Sequence, residues 1–416
     1  MTGSEAHGRR LILLTQWFDP EPVKKGLSFA AELARRGFEV EVVTGFPNYP
    51  GGKVYDGYRI RPIKRERIGA VDITRLALYP SHDTSRLGRV FNYVSFFLST
   101  LFYLVFMARK ADVIYAYHPP LTVGIAAALA RVLRRTPVVL DVQDMWPDTL
   151  RATGMIGNER VLRFIDVFCR WTWKRVDRIA VLSDGFRNLL IERGVPPEKI
   201  EVIYNWGEER AAGAPVASEI FADPSRFRVL FAGNMGPAQG LDAVLEAARI
   251  AAARATNVDF CFLGSGIEEE RLKAKAGEMD LANVHFLPRV PINEVSDWLA
   301  AADCLLVHLK ADPLFAITIP SKTQAYLSAG KATVMAVEGD AADLVRRSGG
   351  GVVVPPENPD ALADAVITLS RLPRAELGAM GARAREFYDW HLSFERGVDR
   401  FITLLNDAIA ARTKAH

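Results

Sequence analysis

Residues 228–248 read RVLFAGNMGPAQGLDAVLEAA. An apolar run meets three glycines, Gly233, Gly236 and Gly240, and then a segment with helical spacing. Strand, glycine turn and helix in that order are the βα unit of a parallel sheet. The same rhythm continues downstream, where VDFCFLG, VHFL, CLLVHL, ATVMAV and GVVVP read as strands separated by helices. Upstream, RLILLT, EVEVVT, DVIYAY, PVVLDV and RIAVLS read as buried parallel strands. Between them LSFAAELARRG, LTVGIAAALARVLRR and GFRNLLIERG have helical spacing. A softer stretch at 207–227, GEERAAGAPVASEIFADPSRF, separates the two runs. The predicted fold class is α/β, with two Rossmann-like doubly wound domains facing a central cleft. The first spans residues 1–206 and the second 207–388, and a C-terminal helix, 389–416, crosses back to the first.

Bulk properties narrow the function. A chain of 416 residues suits two cores. A net charge of +3 gives no overall field for nucleic acid. Cys169, Cys261 and Cys304 are far apart and read as buried thiols in a reducing compartment, not as a metal site or disulfide frame. The opening MTGSEAHGRRLILLTQWF has too short an apolar run for a signal peptide and is expected to lead into a first strand.

FNYVSFFLSTLFYLVFMA, residues 91–108, is eighteen uncharged residues long, the lower limit for spanning a bilayer. Asn92, Ser95, Ser99 and Thr100 interrupt it, and basic residues flank it. Residues 86–135 hold seven Lys/Arg and one acid, Asp112. The expectation is a helix lying in an anionic membrane surface, ahead of a buried core helix and of a spanning one.

Ligands of open α/β sheets sit where strands end. After the first strand, Lys24, Lys25 and Gly26 open a helix and could face phosphate. His118 is followed by two prolines after DVIYAY. Asp144 and Asp148 flank Trp146 after PVVLDV, a grouping that suits sugar hydroxyls and faces, or helix capping. In the second half, the Gly233–Gly240 turn and the Gly264–Ser265–Gly266 turn are joined by IPSKTQAYLSAGK. There a helix start carries Ser321 and Lys322, with Gln324 in the next turn. Three anion-friendly loops in one half favour a nucleotide diphosphate over chance occurrence. No Asp-x-Asp pair occurs, so a metal bridging the diphosphate is not expected, and the charge would be met by helix ends and basic side chains.

These stretches, with DPEPVKKGLSFAAELARRGFEVEVVTGFPNYPGGKVYDGY, YHPPL and DVQDMWPD, make the chain resemble the family 4 retaining glycosyltransferases of the GT-B fold over essentially its full length. More closely, it resembles the WbuB-like branch of bacterial O-antigen and capsule biosynthesis. The resemblance implies a UDP-sugar donor on the second domain and a polyprenyl-diphosphate-linked acceptor on the first. It implies no metal or other cofactor and peripheral attachment to the cytoplasmic face of the inner membrane. N-acetyl-L-fucosamine is a candidate transferred sugar. Donor contacts are expected from Lys25, Gly26, Gly233, Asn234, Gln239, Gly240, Gly264, Gly266, Arg289, Ser321, Lys322, Gln324 and Glu338.

The chain departs from the family at four places. Asn234 and Gln239 stand where the family carries Arg and Lys, and Ile317 and Ala325 where it carries two glutamates. The expected catalytic set is Lys322 on the leaving UDP, His118 on a donor or acceptor hydroxyl, and Asp144 orienting the acceptor or acting as base. The leaving phosphate itself can take the acceptor proton. A UDP-sugar epimerase of the same fold and a non-catalytic sugar-nucleotide-binding protein are the alternatives.

Overall fold

The structure, a computed structural model, describes residues 8–81, 86–207, 209, 213, 216, 218–255 and 257–413. Part of the 207–227 stretch and the first seven residues therefore lie outside the described residues. The chain divides into two compact units. Unit 1 comprises Met1–Leu182, Phe186–Ile203 and Val398–His416, and unit 2 comprises Ser183–Gly185 and Tyr204–Gly397.

Unit 1 runs β1 (Arg9–Leu14), α1 (Leu27–Arg35), β2 (Phe38–Gly45), β3 (Ile63–Ile68), β4 (Val71–Leu76), α2 (Arg86–Phe102), β5 (Val113–His118), α3 (Leu121–Arg134), β6 (Val138–Val142), α4 (Asp148–Ala152), α5 (Glu159–Arg175), β7 (Arg178–Val181), α6 (Asp184–Glu192) and β8 (Ile200–Val202). Ser183 and the first two residues of α6, Asp184 and Gly185, belong to unit 2. The eight strands order as β3-β4-β2-β1-β5-β6-β7-β8, parallel except for the β3–β4 pair. Central strands such as β1 and β6 are buried almost throughout, because helices cover both faces of a parallel sheet.

Unit 2 runs β9 (Phe227–Ala232), α7 (Asp242–Arg254), β10 (Val258–Leu263), α8 (Glu269–Glu278), β11 (Val284–Leu287), α9 (Val295–Ala301), β12 (Cys304–His308), α10 (Pro313–Ala316), α11 (Ser321–Ala329), β13 (Ala332–Ala336), α12 (Asp340–Ser348), β14 (Gly351–Val354), α13 (Pro359–Ser370) and α14 (Arg374–His391). Its six strands order as β11-β10-β9-β12-β13-β14, all parallel. The final helix, α15 (Phe394–Thr413), contributes its residues from Val398 onward to unit 1. There Phe401 packs edge-on against Phe29 and Tyr115.

Each sheet reverses its strand order once, between β1 and β5 in unit 1 and between β9 and β12 in unit 2. At such a reversal neighbouring connections leave in opposite directions and open a crevice at the strand ends. The two parallel α/β sheets are those of the GT-B fold. All three cysteines are free and buried.

Helix α2 continues through a π turn at Tyr103–Met107. It buries Asn92, Phe96, Thr100, Tyr103 and Leu104, and exposes Leu87, Phe91, Val94, Leu98, Phe102 and Phe106. The exposed set recurs at helical spacing and forms one apolar stripe. The reading of this segment as a wholly buried core helix is therefore not met.

Candidate active site

In unit 2 the post-strand loops converge at the β9/β12 reversal. The Gly233 and Gly264 turns pack backbone on backbone. Gly233 N–H donates to the Leu263 carbonyl at 2.8 Å, and Met235 N–H to the Ser265 carbonyl at 2.9 Å. Gly264 has φ +133°, and a Cβ there would stand 2.2 Å from the Gly233 carbonyl oxygen. At Gly266 it would stand 2.2 Å from the Met235 carbonyl oxygen. These glycines are thus required by the chain's approach to itself. Gln239 is engaged in its own turn, where its Oε1 accepts the Gly236 N–H at 3.0 Å. Asn234 beside it is exposed.

His308, at the end of β12, fixes this loop system. Its Nε2 accepts the Glu357 N–H at 3.2 Å, so its Nδ1 carries the proton and donates to the Gln239 carbonyl at 2.6 Å. Gly240 packs against the same imidazole.

Helix α11 begins after Pro320 with no side chain capping its first turn, which leaves amide N–H groups for a ligand. It stops at Gly330, whose φ of +65° is the left-handed C-cap conformation. Lys322, in the first turn, lays its stem beside Gly233 and its Nζ over the Phe231 ring, 3.5 Å from the centroid. Among the described residues it makes no ion pair. Burial alone pushes its pKa down to about 7. Gln324 is buried, and its Oε1 has no hydrogen-bond partner among the described residues. Ser321 is exposed at the helix start, and Arg289 and Glu338 are exposed in the loops after β11 and β13.

The two positions that depart from the family's glutamates are occupied by packing. Ile317 lies against Gly185, where a Cβ would stand 2.4 Å from the Ile317 Cβ, and the Ile317 carbonyl accepts from Ser183 Oγ at 2.6 Å. Ala325 and the Gln324 carbonyl back onto Gly207, where a Cβ would stand 3.1 Å from the Gln324 carbonyl oxygen.

In unit 1 the β1/β5 reversal gathers the remaining candidates. His118 is buried with its ring edge-on to Trp146, 5.8 Å between centroids, and burial lowers its pKa to about 4. It is therefore neutral near pH 7. Asp144 is partly exposed, and burial raises its pKa. Asp148 pairs with Arg193 at 2.6 Å.

Lys25 and Gly26 require a correction. The Lys25 ammonium is buried 2.5 Å from Asp141 Oδ2, with both side chains 1% exposed. The Phe401 ring lies 4.6 Å away. A lysine so enclosed is not placed to meet phosphate. At Gly26 a Cβ would stand 2.1 Å from Asp19 Oδ2, the oxygen that accepts the Leu27 N–H at 2.6 Å. The start of α1 is thus already filled by the chain's own carboxylate. Asp141 lies 116 residues from Lys25, so no local signal announces that pairing, and Asp19, though it opens the DPEPVKKG stretch, reads there as a loop residue and not as the cap of α1. Phe231 and His308 also went unsingled, because each reads as an ordinary strand residue.

Residues 27–206 match the family described as "Glycosyl transferase 4-like domain", and residues 226–371 match "Glycosyl transferases group 1". The putative colanic acid biosynthesis glycosyl transferase WcaI of Escherichia coli is 30% identical over 385 residues, 89% of this chain and 92% of that protein. This chain belongs to the group 1 glycosyltransferases. The probable glycosyltransferase WbjE of Pseudomonas aeruginosa is 25% identical over 70% of this glycosyltransferase and 74% of its own length. Among solved structures, sucrose-phosphate synthase from Thermosynechococcus elongatus superposes with a TM-score of 0.70 at 16% identity, covering 97% of this chain and 100% of that one. Anabaena HepE in complex with UDP-glucose superposes with a TM-score of 0.63 at 16% identity, covering 98% and 100%. At these identities the structural likeness establishes the fold.

Proposed function

We propose that the enzyme is a retaining transferase that moves a sugar from a UDP-sugar to a polyprenyl-diphosphate-linked saccharide in surface polysaccharide assembly. One observation carries the donor half: the unpaired Lys322 ammonium beside an uncapped helix start, at the strand reversal of unit 2. A desolvated cation without a counter-ion is stabilised by an arriving diphosphate, and the α11 N–H groups add their dipoles to it. Neither contact needs a metal. The names of the colanic acid relative and of the UDP-glucose complex support the reading.

As the glycosidic bond to the β-phosphate breaks, negative charge gathers on that phosphate, where Lys322 and the helix start lower its energy. The phosphate oxygen takes the proton of the attacking hydroxyl, so no separate base is required, and Asp144 orients the acceptor. N-acetyl-L-fucosamine is a candidate sugar. The exposed α2 stripe would rest on the cytoplasmic face of the inner membrane, with Arg109 and Lys110 at its end near anionic headgroups.

The test is a UDP-release screen of several UDP-sugars against polyprenyl-diphosphate-GlcNAc, with and without anionic lipid. Release that depends on the acceptor and yields an elongated lipid-linked saccharide is expected. A new sugar epimer formed from donor alone would mark an epimerase, and UDP binding without turnover would mark a binding protein.

A further inference from the structure

The strand reversal of unit 1 carries a group of side chains that the donor chemistry does not use. Trp17 follows β1, Tyr49 follows β2, and Tyr93 stands in the second turn of α2. The Trp17 and Tyr49 rings are 5.0 Å apart between centroids and tilted by 38°, and the Tyr93 ring meets Trp17 edge-on at 6.5 Å. All three rings are partly exposed.

Buried polar contacts hold these rings in place. Glu21, 3% exposed, accepts the Asn48 and Tyr49 N–H groups through Oε1 at 2.8 and 2.7 Å, and the Phe18 N–H through Oε2 at 2.9 Å. It thereby ties the loop after β1 to the loop after β2. Asn92, 1% exposed, accepts from Gln16 Nε2 at 2.5 Å and donates to the Tyr79 carbonyl at 2.7 Å, which fixes α2 to the same loops. The rings form a rigid apolar surface bordered by hydrogen-bonding groups. Gln16 Oε1 is buried and has no hydrogen-bond partner among the described residues. The Asp144 carboxyl makes no ion pair among them, and it lies within electrostatic range of the Tyr93 hydroxyl, as do Tyr49 and Arg89.

Partly exposed aromatic rings beside a carboxylate match the chemistry of a pyranose, which offers C–H groups on its faces and hydroxyls around its rim. The exposed stripe runs along the same helix as Tyr93, with Val94 about 100° round from it. A saccharide here would have an apolar track next to it for a carrier chain. We propose that Trp17, Tyr49 and Tyr93 seat the terminal sugar of the acceptor, with Asp144 taking its hydroxyl or acetamido hydrogens. The proposal rests on the lipid-linked acceptor proposed above.

The experiment titrates the full-length enzyme with two probes, farnesyl-diphosphate-GlcNAc and farnesyl diphosphate, at one detergent concentration. Trp17→Ala and Tyr49→Ala should each weaken the sugar-bearing probe roughly tenfold or more while the sugar-free probe changes by less than about twofold. Tyr49→Phe should bind both probes as the wild type does. A thermal melt reports whether each variant is folded, so if Trp17→Ala melts well below the wild type, Tyr49→Ala decides. Equal weakening of both probes, or no weakening of either, overturns the sugar seat while wild-type transfer to the sugar-bearing probe leaves the acceptor class standing. A wild type that neither binds nor glycosylates the sugar-bearing probe overturns both.

Discussion

Lys322 and Phe231 meet as cation and ring, with Nζ 3.5 Å from the ring centroid and no carboxylate paired with it among the described residues. The ring face offsets part of what the ammonium lost in hydration, yet burial still brings the pKa down to about 7. Diphosphate favours the charged form and raises that pKa on binding. Affinity for UDP-GlcNAc, whose diphosphate does not titrate in this range, should be flat below pH 7. It should fall by up to about tenfold per pH unit above it, with one proton taken up on binding. Titration calorimetry in buffers of different ionisation enthalpy checks both.

The same depressed pKa carries a stability consequence. A lysine whose folded pKa lies below its ordinary 10.5 opposes folding while it is charged. The opposition is complete below about pH 7, the folded pKa. It fades as pH rises toward 10.5. Lys322→Met should therefore raise the melting temperature of the ligand-free enzyme at pH 6, with a smaller gain at pH 10. UDP should stabilise the wild type and leave the variant little changed, as thermal scans with and without UDP will read.

Gly264→Ala places a Cβ 2.2 Å from the Gly233 carbonyl oxygen at a φ of +133°. The two turns must separate, at a cost on the order of 2–4 kcal/mol. Gly277→Ala, within α8 with nothing within 4 Å of its Cβ, is the matched control. It should gain roughly 0.5–1 kcal/mol. Melting temperatures should move in opposite directions.

The α2 stripe predicts partition onto anionic vesicles. Leu98→Ser with Phe106→Ser removes two of its exposed residues, 58% and 73% accessible, without touching the buried face. Flotation with phosphatidylglycerol vesicles should drop several-fold, the soluble enzyme should keep its melting temperature, and salt should weaken what binding remains. Unchanged flotation would remove the membrane-facing role.

The legible strands are those with apolar runs: β9, β10, β12 and β13 of unit 2 are buried throughout, and the half-buried edge strands β11 and β14 keep the apolar runs VHFL and GVVV. The missed hairpin β3–β4 begins with IKRERI, an antiparallel edge strand with charged residues on it, and β8 is three residues long. Neither shows an apolar run. At the candidate site, the helix that carries Lys322 was legible because its start, glycine stop and flanking turns lie in local sequence. Lys25 was misread because local sequence shows a lysine and a glycine opening a helix but not Asp141, 116 residues away, which takes up the charge. For Gly26 the carboxylate is local, since Asp19 stands seven residues before it, but the sequence does not show that the intervening loop folds back to cap α1.

In the proposed reaction Lys322 meets the leaving diphosphate. The most direct measurement is the rate of sugar transfer by Lys322→Ala at saturating UDP-sugar and polyprenyl-diphosphate-GlcNAc. A fall of about 10²–10³-fold in kcat is predicted, the scale of losing a charge-stabilising donor in a transition state. Near-normal transfer by the variant would contradict it.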